Sequence, residues 1–278
     1  MNAPGWPGAD AAGSALTPLH RAYFVMVGLF AMWVGVWGTF IPSRVALALP
    51  WQVPALHSRV IGAMYLSGLL LMLACLLRRH ACQVAVGLRM AVVWTGMLLL
   101  ASLLHLQEFD ANNPRVWFWF FAYVLFPLWG TWLAWRDRAS AQPPVDSPAP
   151  TWVSAIFMVQ GGLFIALAAL LFLAPQTMTQ VWPWKASVLL LQIYAGPCLS
   201  IGIGSWLLTR PRYADEIATS AASMASFVLL VLLASLLHRG LFQAGSLSAA
   251  AWFTALPLAG AGFLLALASR WRAGGNAR

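Results

Sequence analysis

Leu99-Leu100-Ala101-Ser102-Leu103-Leu104-His105 recurs letter for letter as Leu232-Leu233-Ala234-Ser235-Leu236-Leu237-His238, a displacement of 133 residues. Outward from this stretch the same displacement holds without a gap. It pairs Phe24 with Phe157, Gly28 with Gly161, Pro42 with Pro175, Pro50-Trp51 with Pro183-Trp184, and Leu66-Ser67 with Leu199-Ser200. Arg79 likewise meets Arg212, Phe109 meets Phe242, and Trp119-Phe120 meets Trp252-Phe253. Leucines match by chance, but Pro, Trp and His do not do so repeatedly at one displacement, so the chain reads as a duplicated unit.

Composition sets the class of that unit. Hydrophobic residues make up 61% of the chain and charged residues 8%, whereas a soluble domain carries about 25% charged residues. A hydrocarbon layer roughly 30 Å thick needs about 20 mostly apolar residues per helical span. Eight such stretches lie near 22–40, 60–77, 84–105, 116–135, 153–173, 186–208, 217–237 and 249–268. Their apolar runs are continuous, without the alternation of barrel strands, which predicts helices. The expected fold is all-α, a polytopic membrane protein of eight transmembrane helices in two parallel four-helix repeats. The repeats cover 22–136 and 153–270, between a tail of 1–21, a Pro/Ala/Ser-rich linker of 137–152 and a tail of 271–278. Four spans per copy is an even number, so both copies enter the bilayer from one side and the repeat axis follows the membrane normal.

Basic residues set the orientation. The net charge is +9, but it is scattered at span ends and forms no stripe for nucleic acid. Arg21, Arg78, Arg79, Arg136, Arg138, Arg210, Arg212, Arg270, Arg272 and Arg278 share the side of the termini, against Arg44, Arg59, Arg115, Lys185 and Arg239 opposite. The excess predicts cytoplasmic termini. The first seventeen residues have no basic n-region, so the first span reads as an uncleaved anchor.

Pro and Trp mark the connections Ile41 to Arg59 and Ala174 to Gln192 as interfacial segments. Trp117, Trp119, Trp129, Trp132 and Trp135 read as an aromatic belt around span four. Small-residue stripes, Gly196/Ser200/Gly204 and Ala218/Ala222/Ser226, predict close helix crossings. Cys75, Cys82 and Cys198 form no redox or disulfide motif and read as buried small residues.

Candidate chemistry is sparse. All seven acidic residues, Asp10, Glu108, Asp110, Asp137, Asp146, Asp215 and Glu216, read as tail or loop positions. This argues against a carrier coupled through an intramembrane carboxylate. Arg89 lies within a span, near enough to its end for the side chain to snorkel or to meet an anionic ligand or lipid. Gln192, Tyr194, Gln160, Tyr65 and Thr95 are polar groups that line a cavity or bond across helices. His105 and His238 sit at equivalent helix ends. They satisfy terminal carbonyls, or, as a symmetric pair of imidazoles, ligate haem b or a shared metal, or form a pH- or substrate-responsive site. Glu108 has the uncharged Leu241 as its counterpart, which gives the first half more of any charged site. No nucleophile elbow, zinc-protease motif or phosphate loop is present, and no catalytic residue is assigned.

Pro50-Trp51 through Arg59, and Leu104-His105 through Phe109, Pro114, Trp119, Tyr123 and Pro127, resemble patterns in a group of uncharacterised bacterial multi-span membrane proteins. The resemblance implies an eight-span protein of a bacterial inner membrane and carries no activity. The second half departs from it with Leu256 and Gly260 at the positions of Tyr123 and Pro127. The function expected on these grounds is binding or passage of an uncharged or lipid-like small molecule between the repeats. Competing readings are a haem-binding redox subunit using His105 and His238, and a structural subunit that docks other membrane proteins or a second copy.

Overall fold

The computed structural model describes residues 14–51, 53–139, 150–210 and 214–275. The middle of the expected linker, Arg212 and the outer parts of both tails lie outside them. Nine α-helices are described: α1 (Pro18–Phe40), α2 (Ala55–Leu76), α3 (Ala85–Leu104), α4 (Pro114–Arg136), α5 (Thr151–Leu173), α6 (Pro175–Val181), α7 (Val188–Leu208), α8 (Ala214–Leu237) and α9 (Leu247–Gly275). Eight are long and apolar enough to cross a membrane; α6 is the exception. They correspond to the eight stretches expected from the sequence and fit a multi-pass integral membrane protein.

Pro at the first helical position starts α1, α4 and α6, where its missing N–H costs nothing. The connections expected at the interface fold as a 3-10 helix over Pro42–Leu47 and as α6. Their tryptophans, however, turn inward. Trp182 and Trp184 are almost fully buried, and the Trp51 and Trp184 rings each meet another indole edge-on at 4.9 Å, Trp119 and Trp252 respectively. Trp119 also leaves the expected belt, since it is buried and its indole donates to Ser102 Oγ, as Trp252 donates to Ser235 Oγ. Trp117, Trp132 and Trp135 do lie exposed as a belt requires.

Packing does not follow chain order. The hairpins α1–α2 and α5–α7 are tight, as are α3–α4 and α8–α9, but α2 packs extensively on α8 and α3 on α7, whereas α2 touches α3 little. The halves are interlocked. Within the halves, two hairpins close on glycine: a Cβ on Gly62 of α2 would stand 2.4 Å from the Thr39 backbone nitrogen of α1, and one on Gly202 of α7 would stand 2.9 Å from that of Ile165 on α5. The Gly196/Ser200/Gly204 stripe does form a close crossing, against α3, where Ser200 Oγ donates to Met90 O. On α8 the Ala218/Ala222/Ser226 stripe is only half-buried. The adjoining face of Thr219, Ser220 and Ser223 is buried instead, and Ser223 Oγ donates to Ser67 O on α2. Small residues spaced by four run along both faces, so spacing alone did not choose between them.

Candidate functional site

At the end of the bundle where α1 begins and α4 ends, polar side chains bond to one another. His20, fully buried, donates from Nε2 to Asp137 Oδ2 at 2.6 Å, and Arg136 reaches Thr17 Oγ1 at 3.2 Å. Arg89 lines a small crevice with Cys82 and Asp137 at the same end. Glu216 corrects the loop assignment. It is 1% exposed in the first turn of α8, and its Oε1 accepts the Val86 backbone N–H at 2.7 Å. A carboxylate there satisfies an orphan amide at the start of α3 and complements its dipole. Its role is visible only once α8 lies against α3.

At the opposite end His105 and His238 are C-caps of α3 and α8, but neither ring bonds to its own helix. Each reaches into the other half. His105 Nε2 donates to Gln192 Oε1 at 2.6 Å, while Arg59 donates to His238 Nε2 at 2.5 Å. Arg59 and Gln192 are themselves separated by 133 residues, so these are the same contact made twice with different chemistry. Gln192 also donates to Phe172 O, which fixes its amide orientation. The two imidazoles therefore hold their neutral protons on different nitrogens: His105 on Nε2, His238 on Nδ1. Burial, and then the Arg59 charge, hold His238 below the ordinary imidazole value. Both Nε2 atoms are thus engaged in hydrogen bonds across the halves. The described residues hold no cluster of three or more His, Cys, Asp or Glu suited to a metal.

Tyr194 donates to His57 Nδ1 at 2.6 Å, and His57 Nε2 donates to Lys185 O at 2.9 Å. Sequence reasoning missed His57, because its counterpart is Leu190 and the repeat gave no signal for it. Both ring nitrogens are satisfied, so the arrangement joins α2 to α7 and leaves no open ligand position. Glu108 lies exposed in the turn after α3, where its backbone N–H donates to His105 O at 2.9 Å.

The room in the molecule lies elsewhere. At the interface between the halves, Ser67, Ser200, Ser223 and Trp94 surround a void of about 10 Å³. Between α1 and α4 of the first half there is a groove of about 630 Å³, within the range of small-molecule sites. Its walls are Met26, Leu29, Phe30 and Trp33 on α1, and Phe118, Phe121, Ala122, Leu125 and Phe126 on α4. Leu29, Trp33, Phe118 and Phe121 are more than half exposed, so the groove opens sideways to the surrounding lipid. Phe30 stands at its back, with ring contacts to Phe118, Trp119, Tyr123 and Phe126. Behind Phe30 is an inner void of about 40 Å³, bordered by Tyr65 and Tyr123, whose hydroxyls bond to each other.

Arg115 is the one charged residue lining the groove. It sits in the first turn of α4, where a cation opposes the helix dipole, so helix stability does not account for it. Nothing in the sequence pattern separated these groove residues from ordinary lipid-facing ones. Only the separation of α1 from α4 reveals them. No family model, curated protein or solved structure matches the chain.

Proposed function

We propose that this is a multi-pass protein of a bacterial inner membrane with cytoplasmic termini, built from a duplicated four-span unit, whose first half binds a lipid-like small molecule between α1 and α4. The observation that carries the reading is the groove: about 630 Å³, apolar but for one arginine, and open to the bilayer side. An apolar ligand enters such a site from the membrane without crossing water. The duplication is supported by paired contacts at the repeat displacement, Trp51–Trp119 with Trp184–Trp252, and His105–Gln192 with Arg59–His238. His105 and His238 act on this reading as ties between the halves.

The test is native mass spectrometry of protein purified in neutral detergent, comparing the unmodified chain with M26W/L29W. Both substituted residues line the groove and are exposed, so the larger rings fill it without disturbing the core. Retained lipid-sized adducts that disappear in the variant support the site. Adducts unchanged by the variant place any ligand elsewhere.

A further inference from the structure

We infer that the groove's occupant is an anionic phospholipid of the leaflet remote from the termini, with its phosphate on Arg115 and an acyl chain lying along α4. This rests on the groove reading above and adds to it the charge and orientation of the ligand. Pro114 and Arg115 mark one end of the groove on α4 and Phe126 the other, eleven residues beyond Arg115 along the helix. At 1.5 Å per residue the groove is about 17 Å long, roughly half of a 30 Å hydrocarbon layer. Its length therefore matches one leaflet, with the cation at the headgroup end and aromatic rings towards the bilayer centre.

The guanidinium is exposed. One of its N–H groups donates to Ala46 O at 2.8 Å, which holds the side chain against the Pro42–Leu47 turn at the head of the groove. Its other four donors have no partner among the described residues. A planar guanidinium with free donors is the side chain best matched to phosphate oxygens, which it takes two at a time. Glu108 and Asp110 precede α4 and do not line the groove, so no carboxylate neutralises the arginine there. In the second half the corresponding position is Ser248, which offers no such charge.

The experiment uses the full chain, delipidated in neutral detergent and titrated with phosphatidylglycerol or phosphatidylcholine of identical acyl chains. Binding is read by native mass spectrometry, with R115Q, R115K and M26W/L29W alongside. The unmodified protein is expected to prefer phosphatidylglycerol by about fivefold, the contribution of one basic residue near an anionic headgroup. R115Q should bind both lipids equally, and R115K should keep the preference in part. Equal binding of the two lipids by the unmodified chain, or a preference that survives R115Q, overturns the inference. If M26W/L29W still abolishes binding in that case, the groove reading stands without it; if binding is indifferent to M26W/L29W, the groove reading fails as well.

Discussion

Phe30, Trp33, Phe118, Phe121 and Phe126 of the first half stand where the second half has Leu163, Ala166, Ala251, Thr254 and Ala259. The same helix pair therefore has two outcomes. In the first half aromatic rings space α1 from α4 and leave a groove open to lipid. In the second half α5 and α9 come close enough for Gln160 Nε2 to donate to Ala259 O at 2.9 Å. A Cβ on Gly262 would meet that same side-chain nitrogen. Chain connectivity brings each of these helix pairs together, while side-chain volume fixes whether there is space between them.

The contrast can be broken most severely at the glycine crossings. Gly62 faces the α1 backbone, whereas its second-half counterpart is Ala195, so a methyl group is already accommodated there. Gly62→Ala should cost about 3 kcal/mol of stability through overpacking against backbone. Thermal unfolding in detergent reads this directly, and an unchanged midpoint would mean the α1–α2 crossing is looser than described. Giving the first half the second half's wall, F118A/F121T, should leave the fold intact. It should weaken lipid retention roughly tenfold, equivalent to ~1.4 kcal/mol of apolar contact.

The histidine ties offer a finer comparison. Arg59→Gln makes the two contacts chemically alike, and losing the charged donor should cost about 1 kcal/mol. It should also blunt an acid sensitivity of the native protein. His238 is held below its ordinary value of 6.5, so around and below that pH the unfolded chain binds more protons than the folded one. Stability therefore rises with pH through this window and falls on acidification, because a proton on Nε2 displaces the Arg59 donor and sets two cations together. Unfolding midpoints between pH 8 and 5 should decline in the native chain and decline less in R59Q. The smallest effect is expected at Gly162, the counterpart of Leu29, where an added Cβ meets nothing within 4 Å. Gly162→Ala should raise stability by less than about 1 kcal/mol. A clear loss would show that this face of α5 is covered by something besides lipid.

The eight spans were legible from the sequence because the bilayer demands a continuous apolar run of set length, whatever its neighbours. His105 and His238 were legible as a pair through the repeat, but not their function. That depended on Arg59 and Gln192, which share a displacement and differ in chemistry. Glu216 looked like a loop acid because nothing local indicates that α8 starts against the amide end of α3. Length and hydropathy, being local quantities, were thus determined by the sequence alone. Tertiary structure decided the inward turn of Trp51 and Trp184, the interlocking of the halves and the groove beside Arg115. These depend on how closely particular side chains let two helices approach, which is a property of pairs of segments distant in sequence and not of either segment by itself.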